Sequence, residues 1–336
     1  KIKDLNLIDG KAVLLSPRAE AALSRQPGVL RIDDDVEVFA LAKPIDRAVI
    51  RQPAEVLPWG VDRIDAEKVS STTTGDLIKV AIIDTGIDVK HPDLKDNIKG
   101  GISTVWYTTS YNDDNGHGTH VAGIVGAIDN TIGVIGVGPK IDLYSVKVLD
   151  RNGSGYLSDV IEGLDWAITN GMQVVNMSLG TASNVLSFKE AVQRVKAAGI
   201  TQVAAAGNTG GSVIYPAAYP EVIAVSATDK TDTIASWSSR GPEIDLAAPG
   251  VSIYSTYKGQ TYKTLSGTSM AAPHVAGAAA LVLMVPEKCQ YLIDTTLGCS
   301  PAEVQKRLQD TAEWLPKVIP EGQGSGLVDA EKAVSY

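Results

Sequence analysis

The middle of the chain has a hydrophobic pattern that predicts a layered α/β fold. Short runs that are apolar at nearly every position occur at residues 78–83, 174–177, 203–206 and 222–225. Such runs are typical of parallel strands covered on both faces. Helical patterns intervene at residues 157–169 and 188–198. Strands that alternate with helices predict a doubly wound parallel sheet with helices on both faces, whose sites lie at the carboxyl ends of the strands.

The first forty residues predict a separate, smaller α+β unit. Two short strands are expected at residues 1–7 and 11–15, on either side of the turn at Asp9 and Gly10. A helix capped by Ser16 and a strand at residues 29–32 follow. This unit is too short to bury much core by itself. Residues 42–57 contain Pro44 and Pro53, show no period and read as a linker, so we divide the chain into 1–41, 42–57 and 58–336.

Composition narrows the class of protein. The longest apolar run, residues 275–285, is about half of the roughly 20 residues that a membrane-spanning helix needs, so it predicts a buried core helix and no membrane span. Hydrophobic residues make up 44% of the chain and charged residues 21%, which excludes a disordered protein. The net charge of −9, without a basic cluster, argues against a nucleic-acid partner.

The chain contains only two cysteines, Cys289 and Cys299, so no disulfide framework holds the fold. The pair could form one disulfide across a short loop or remain two thiols, and the sequence favours neither. The residues from Lys1 onward do not have the pattern of a signal peptide, which leaves the compartment open.

Three segments carry a carboxylate, an imidazole and a hydroxyl. Asp84 ends the buried run at 78–83, His117 stands in Asn-Gly-His-Gly-Thr-His, and Ser269 stands in Ser-Gly-Thr-Ser-Met-Ala. A serine hydroxyl needs a base to become a nucleophile, and histidine is suited to that work. A buried carboxylate fixes the tautomer of the histidine and stabilises its protonated form. Ser269 opens an apolar helix at 270–285, with Pro273 expected in its first turn.

Other interpretations of single motifs are weaker. His117 and His120 have the spacing of a zinc pair, but the glutamate of the zinc-protease helix motif is absent and no third ligand is evident. Gly136-Val-Gly138 lacks the third glycine of a dinucleotide-binding loop. We therefore expect His120 and His274 to be packing residues of helices.

In combination, Asp84-Thr-Gly, His117-Gly-Thr-His and Gly267-Thr-Ser-Met-Ala resemble the motifs of the subtilisin-like serine proteases, and the resemblance extends from about residue 57 to 285. It implies that Asp84, His117 and Ser269 form a triad that hydrolyses peptide bonds through an acyl-enzyme intermediate. It also implies that the side-chain amide of Asn208, together with the backbone N–H of Ser269, stabilises negative charge in the transition state.

The resemblance also implies a substrate cleft. An extended substrate would add as a strand to two short segments, Gly153, Ser154, Gly155 and Ser178, Leu179, Gly180. The second segment, with Ala205 and Gly207, would wall the pocket for the residue before the scissile bond. Ile214 stands where the family often has a small residue, and it predicts a shallow pocket.

Calcium is the implied cofactor, because the loop at residues 128–134 resembles the family's tight calcium loop. Side chains of Glu55, Asp93 and Asn130 and carbonyls of Ile128, Ile132 and Val134 would supply the oxygen ligands that calcium prefers. A weaker second site would use Glu243 and Asp245 with carbonyls near Ala217, Tyr219 and Val222. Either loop could instead be an acidic loop in contact with solvent.

Residues 1–41 resemble the C-terminal part of the family's propeptide, which assists folding and then blocks the cleft. Self-cleavage is expected between Phe39 and Lys43. Leu41 precedes the scissile bond if the family register holds, and Ala40 or Ala42 does so if Ile214 shortens the pocket. The implied partners are protein or peptide substrates and the propeptide itself, and the implied location is secreted or extracellular.

The resulting hypothesis is a calcium-stabilised serine endopeptidase carried with part of its propeptide. One alternative is an inactive relative that binds peptides, and another is an esterase. The esterase motif Gly-x-Ser-x-Gly is absent, because the segment from Gly267 ends in Ala271. We assign no role to residues 286–315.

Overall fold

A computed structural model describes residues 2–44, 50–288 and 298–335. Its strands are β1 (Lys3–Leu5), β2 (Gly10–Ala12), β3 (Glu37–Ala40), β4 (Lys43–Pro44), β5 (Ile50–Arg51), β6 (Lys79–Asp84), β7 (Ile98–Ser103), β8 (Asp142–Lys147), β9 (Ser154–Tyr156), β10 (Val174–Met177), β11 (Leu179–Gly180), β12 (Thr201–Ala205), β13 (Ile223–Thr228), β14 (Leu246–Pro249), β15 (Ile253–Tyr257) and β16 (Thr261–Ser266). Its helices are α1 (Pro17–Leu23), α2 (Trp59–Arg63), α3 (His117–Gly126), α4 (Leu157–Thr169), α5 (Leu186–Ala197), α6 (Thr268–Leu283), α7 (Pro301–Asp310), α8 (Pro320–Gln323) and α9 (Ala330–Ser335).

The central feature is a parallel sheet whose seven strands run in the order β14-β13-β12-β10-β6-β8-β7. Each apolar run identified in the sequence contributes a strand to this sheet. The doubly wound α/β architecture predicted from the alternation of strands and helices is confirmed.

Alternate residues of the strands enter two separate cores, one on each face of the sheet. On β6, Val80 and Ile82 pack in the core that contains α3 and α6, whereas Ala81 and Ile83 pack in the core that contains α4 and α5. All four side chains are fully buried. Successive side chains of a strand point to opposite faces, so a strand covered on both faces must be apolar throughout.

The first forty residues form a thin layer against this body. The β1–β2 hairpin is present but shorter than predicted, and Ser16 caps α1 through a hydrogen bond from the Ala19 backbone N–H (3.3 Å). The strand predicted at residues 29–32 is wrong. No strand of the described chain pairs with this segment, and Leu30 in it is 95% exposed. Its apolar side chains therefore have no face to cover.

The C-terminal part adds helices to the body. Ser300 caps α7, which packs against α6 through the buried Val304 and Leu308. The choice between a disulfide and two thiols concerns Cys289, which lies outside the described residues. No helix in the described ranges is both long and apolar enough to cross a lipid bilayer.

Candidate active site

A carboxylate and an imidazole meet at the end of the central strand. Asp84 is the last residue of β6 and His117 is the first residue of α3. The Nδ1 atom of His117 lies 2.7 and 2.9 Å from the two carboxylate oxygens of Asp84. Gly118 permits this close approach, because a Cβ atom there would lie 2.2 Å from the Gly86 carbonyl oxygen. The pair is therefore held by the packing of α3 onto the end of the strand.

Ser269 lies at the start of α6 and is fully buried. Its hydroxyl donates a hydrogen bond to the Ser178 carbonyl oxygen (2.8 Å). The Nε2 atom of His117 is also buried and has no hydrogen-bond partner among the described residues. Among the described residues no hydrogen bond joins Ser269 to His117, and the hydroxyl bonds the Ser178 carbonyl instead.

The position of Pro273 differs from the prediction. The helix begins at Thr268, so Pro273 lies in the second turn and not in the first. A proline has no N–H, so it cannot bond the carbonyl four residues earlier, which is that of Ser269. The hydroxyl of Ser178 donates to this carbonyl instead (2.9 Å). Ser178 thereby contacts the backbone and, through its own carbonyl, the side chain of Ser269.

The side-chain amide of Asn208 points into the cleft. Its Nδ2 atom donates to the Leu41 carbonyl oxygen (2.6 Å), and its Oδ1 atom accepts from both the backbone N–H and the hydroxyl of Thr268 (2.9 Å each). Thr268 thus fixes which end of the amide faces the cleft. A Cβ atom at Gly267 would lie 2.4 Å from the Leu41 oxygen, so glycine is needed for this approach.

The chain before Leu41 occupies the cleft as an added strand. β3 lies between β9 and β11 and is antiparallel to both. Two further hydrogen bonds continue this pairing, from Ala40 N–H to the Gly153 carbonyl (2.9 Å) and from Leu41 N–H to the Ser178 carbonyl (3.2 Å). The predicted cleft residues that pair with it are Gly153, Ser154, Gly155, Ser178, Leu179 and Gly180.

The chain continues on the other side of Ser269. β4 pairs with the end of β16, with Lys43 opposite Ser266. The peptide bond between Leu41 and Ala42 therefore lies between two paired segments, with its carbonyl on Asn208.

Ile214 lies between the two predicted walls of the pocket. A Cβ atom at Gly180 would lie 2.6 Å from Cδ1 of Ile214, and one at Gly207 would lie 3.3 Å from its Cγ1. The branched side chain therefore fills space between these glycines. Ala205 is fully buried at the end of β12, and its contribution to the pocket wall stays a prediction.

The predicted calcium loop brings its named residues together. Asp93 accepts hydrogen bonds from Asn130 Nδ2 (2.7 Å) and Val134 N–H (2.9 Å). Glu55 accepts from the Asn130 backbone N–H (2.6 Å). Backbone bridges from Ala54 to Ile132 and from Val56 to Val134 hold the loop against the segment that carries Glu55.

The charges at this loop fit a cation. Asp93 is fully buried, and no lysine, arginine or histidine with a described side chain forms an ion pair with it or with Glu55. Burial raises the pKa of Asp93 to about 6, and the negative charge of Glu55 contributes to the rise. Two carboxylates together with an amide and carbonyl oxygens are the donor set of calcium. The NH₂ group of Asn130 donates to Asp93 and to the Ile128 carbonyl, and its amide oxygen accepts from Ile132 N–H (2.7 Å), so the amide would have to turn to offer its oxygen to a cation.

The second proposed site gains no support. The Asp245 carboxylate already accepts hydrogen bonds from the Ala224 backbone N–H and from the side chains of Gln305 and Gln309 (2.9 Å each). The Tyr219 carbonyl accepts from Val222 N–H (3.0 Å). In the described ranges, which include the loop at 128–134, no three histidine, cysteine, aspartate or glutamate side chains form a cluster that could bind a metal.

Comparisons with known proteins identify the family of the chain. Residues 75–328 match the family model described as the subtilase family, Peptidase_S8. The chain belongs to the subtilase family. It is 48% identical to subtilisin DY of Bacillus licheniformis over 286 residues, which are 83% of this chain and 99% of that protein. It is 44% identical to the alkaline protease of Alkalihalobacillus alcalophilus over 324 residues (96% of this chain, 78% of the relative) and 42% identical to subtilisin E of Bacillus subtilis over 338 residues (98% and 82%). This subtilase is a serine endopeptidase.

The other two histidines of the motifs are core residues of the subtilase. His120 donates from Nε2 to the carbonyls of Ile253 and Lys263 (3.1 and 3.0 Å), and His274 donates from Nδ1 to the Met270 carbonyl (2.8 Å). Burial lowers the pKa of His120 to about 3 and that of His274 to about 4, so both are neutral. Neither is arranged as a zinc ligand.

Sequence reasoning missed several residues that organise the subtilase site. Thr268 orients Asn208, the hydroxyl of Ser178 bonds the carbonyl that Pro273 leaves free, and Thr85 and Asp113 surround the Asp84–His117 pair. Hydroxyl and carboxyl residues at the ends of strands and the starts of helices were the available signal. Their partners are far away in sequence, so the sequence could not pair them.

Proposed function

We propose that the chain is the precursor of a self-processing, calcium-stabilised endopeptidase. Residues 1–41 act as propeptide, 42–57 as linker and 58–336 as catalytic domain. Asp84, His117 and Ser269 act as the triad, and Asn208 stabilises the transition state. One observation carries this proposal: the chain fills its own cleft as a paired strand and presents the Leu41 carbonyl to the Asn208 amide.

Acylation follows from these contacts. The Ser269 hydroxyl turns from the Ser178 carbonyl to Nε2 of His117, gives up its proton there, and its oxygen attacks the Leu41 carbonyl carbon. Asp84 stabilises the imidazolium that forms. Negative charge develops on the Leu41 oxygen, which Asn208 Nδ2 already contacts. The backbone N–H of Ser269, in the first turn of α6, is among those that lack a helical partner and adds to this stabilisation.

The second half of the reaction reverses the proton transfers. His117 gives its proton to the nitrogen of Ala42, and the bond between Leu41 and Ala42 breaks. A water molecule then loses a proton to His117 and attacks the ester between Ser269 and Leu41. Leu41 leaves with a terminal carboxylate, and Ser269 regains its proton. A separate protein substrate would bind in place of β3 by the same strand pairing.

The contacts of residues 1–41 suit an inhibitory propeptide that also assists folding. Asp35 accepts hydrogen bonds from the N–H and hydroxyl of Ser158 (2.8 and 2.7 Å), in the first turn of α4. Asp33 accepts from Ser187 N–H (3.0 Å), in the first turn of α5. Carboxylates at helix N-termini satisfy free N–H groups and favour the helix. Lys3 forms ion pairs with Asp159 and Glu162 of α4.

Calcium in the loop at 128–134 would be a structural cofactor. Asp93, Glu55 and Asn130 would hold it with carbonyls of Ile128, Ile132 and Val134. The ion would neutralise the two carboxylates and cross-link the loop to the segment before α2. It would thus stabilise the native state by mass action.

We place the enzyme outside the cell that makes it. An endopeptidase made in an inhibited form protects the proteins of the producing cell until export. The relatives named alkaline protease and subtilisin are consistent with an enzyme that acts on proteins.

Two measurements test the proposal. A fluorophosphonate probe should label the processed protein at Ser269, and the Ser269→Ala variant should be neither labelled nor processed. N-terminal sequencing of the mature protein should begin at Ala42. A mature protein that starts at Leu41 or Lys43 would place Ala40 or Ala42 before the scissile bond, as expected if Ile214 makes the pocket shallow. An unlabelled but folded wild-type protein would favour the peptide-binding alternative, and a mature N-terminus beyond Pro58 would contradict the proposed role of Glu55.

A further inference from the structure

Asp113 is a buried carboxylate in the loop before α3 that no step of the proposed reaction uses. It is 4% exposed and accepts five hydrogen bonds. Its Oδ1 atom accepts from the hydroxyl of Thr85 (2.9 Å) and from the backbone N–H groups of Asn115 (2.9 Å) and Gly116 (2.8 Å). Its Oδ2 atom accepts from the N–H (3.0 Å) and the hydroxyl (2.6 Å) of Thr119.

These bonds reach both members of the Asp84–His117 pair. Thr85 follows Asp84, and its backbone N–H donates to Asp84 Oδ1 (2.7 Å), the same oxygen that lies 2.7 Å from His117 Nδ1. The hydroxyl of Thr85 accepts from the N–H of Gly118, the residue after His117 (2.9 Å). One threonine thus connects the strand that carries the carboxylate to the helix that carries the imidazole, and its hydroxyl donates a hydrogen bond to Asp113.

We propose that Asp113 is a positioning residue for peptide hydrolysis and acts through Thr85 to fix the separation and orientation of Asp84 and His117. The inference rests on the proposed triad. Asp113 holds the turn before His117 through Asn115 and Gly116, and it directs the lone pair of the Thr85 oxygen toward Gly118. His117 is thereby fixed from both sides in the chain, so that Nε2 stays directed at the nucleophile.

An ionised carboxylate suits this place better than an amide. Five donors converge on two oxygens, and hydrogen bonds to a charged acceptor are stronger than those between neutral groups. Asparagine has one acceptor oxygen, so its NH₂ group would face either the Thr119 N–H or the N–H groups of Asn115 and Gly116. Donors that face each other cannot bond, and the loop must shift to relieve the conflict.

Asp88 provides a matched control. It is also a buried carboxylate near the end of β6, 6% exposed, and it accepts hydrogen bonds from the backbone N–H groups of Lys90, Gly259 and Gln260. The bonds from Gly259 and Gln260 support the turn of the β15–β16 hairpin. The backbone N–H of Asp88 donates to the Thr119 hydroxyl (2.9 Å), and a change of side chain does not remove that bond. Asp88→Asn therefore alters a buried carboxylate with three hydrogen bonds, against five at Asp113, and does not remove the Asp113–Thr85 contact.

The experiment compares the self-processed Asp113→Asn and Asp88→Asn enzymes well below their melting temperatures. Asp113→Asn should lower kcat by about 100-fold, the loss typical of a catalytic group displaced by about 1 Å. Its KM should stay within about twofold, because the strand pairing of the cleft is untouched. Asp88→Asn should leave both constants near wild type. A normal kcat for Asp113→Asn, or an equal fall in both variants, would overturn the inference.

Proton NMR gives a readout that a merely structural role would not move. In the full chain carrying Ser269→Ala, the low-field resonance of the proton between His117 Nδ1 and Asp84 should shift or broaden with Asp113→Asn and stay in place with Asp88→Asn. If Asp113→Asn does not fold, Thr85 variants decide: Thr85→Val should give the same kinetic loss, and Thr85→Ser should retain activity. Loss in both Thr85 variants or in neither would count against the inference. Full activity of Ser269→Ala would instead overturn the triad itself.

Discussion

Residues 2–41 and residues 58–335 build stability in different ways. The body from residue 58 supplies most of the buried residues of two cores, one on each side of the sheet. In the front segment the buried hydrophobic residues are Leu5, Leu7 and Val38, and all three belong to the core that α4 and α5 of the body complete. No residue of α1 is buried. The front segment therefore has the contacts of a bound ligand, although it is continuous with the body.

The two regions also differ in what their polar groups do. Carboxylates of the body, such as Asp84 and Asp113, are buried and accept hydrogen bonds from within the body. Asp33 and Asp35 of the front segment instead cap helices of the body. The comparison teaches that the fold of the front segment depends on the surface it covers, whereas all seven strands of the central sheet come from the body.

The sharpest test of the comparison is at the point where the two regions meet. Asn208→Leu removes the donor that contacts the Leu41 carbonyl, and it should lower kcat by about 100- to 1000-fold, the typical loss for one such donor. KM should change little, because the charge on the oxygen develops only in the transition state. Steady-state kinetics on a peptide substrate checks this, and processing should slow in parallel. An unchanged kcat would remove Asn208 from the reaction.

Calcium removal should affect the body and leave the front segment's contacts in place. At free calcium 100-fold above its Kd, the ion adds about 2.7 kcal/mol to the free energy of unfolding, so chelation should lower the Tm of the Ser269→Ala protein. Asp93→Ala should lose most of this response. Asp129→Ala, at an exposed position of the same loop, is the control and should keep it. If neither the chelator nor added calcium changes the Tm, the loop does not bind calcium.

The effect of the pocket on substrate preference can be tested separately from the strand pairing of the cleft. Ile214→Gly should raise the ratio of kcat/KM for peptides with phenylalanine before the scissile bond to that for peptides with alanine. Overfilling a packed site costs about 1–3 kcal/mol, so the ratio should rise by about 5- to 150-fold. Ile214→Leu keeps the volume and should leave the ratio nearly unchanged. An identical substrate profile for Ile214→Gly would mean that another group limits the pocket.

The smallest expected effect is on binding of the front segment. Added as a separate peptide, residues 1–41 should inhibit the mature enzyme, and Asp35→Ala should weaken inhibition by up to about tenfold, as for the loss of one helix cap. Asp34→Ala is the matched control, because Asp34 is exposed and lies between the two capping residues. Equal inhibition by both variants would show that the caps contribute nothing to binding.

Much of the fold was predictable because the strands of the body are covered on both faces. A run such as 78–83 can be apolar throughout only when both faces are covered, so the sequence alone carries the information. The strand predicted at residues 29–32 does not form, because this apolar segment has no strand to pair with, and Leu30 is exposed. The β-propensity of its residues only favours a strand, whereas pairing with a neighbouring strand decides whether the strand forms.

The motifs predicted that Asp84 and His117 would meet, which the structure shows, but they did not predict the residues that support this pair. Asp84, His117 and Ser269 stand in distinctive motifs, but Thr85, Asp113 and Thr268 act through partners that only the folded chain brings near. The predicted position of Pro273 in the helix was wrong by one turn, because helix boundaries are poorly marked in sequence. The consequence, a serine carbonyl bonded by Ser178, depends on a contact across 91 positions of the chain.

The anchoring of Glu55 has a kinetic consequence for self-cleavage. Backbone hydrogen bonds join Pro53, Glu55 and Val56 to the loop at 128–134, and Ala42 stays covalently joined to Pro53 when the bond after Leu41 opens. The new amino group is a tethered reactant, with an effective concentration on the order of millimolar beside the acyl group. The amine released from a separate peptide is diluted instead. In the self-cleavage that we propose, each acyl-enzyme would therefore partition between reaction with water and rejoining of the bond. Net processing would then depend on withdrawal of the Ala42 end from β16.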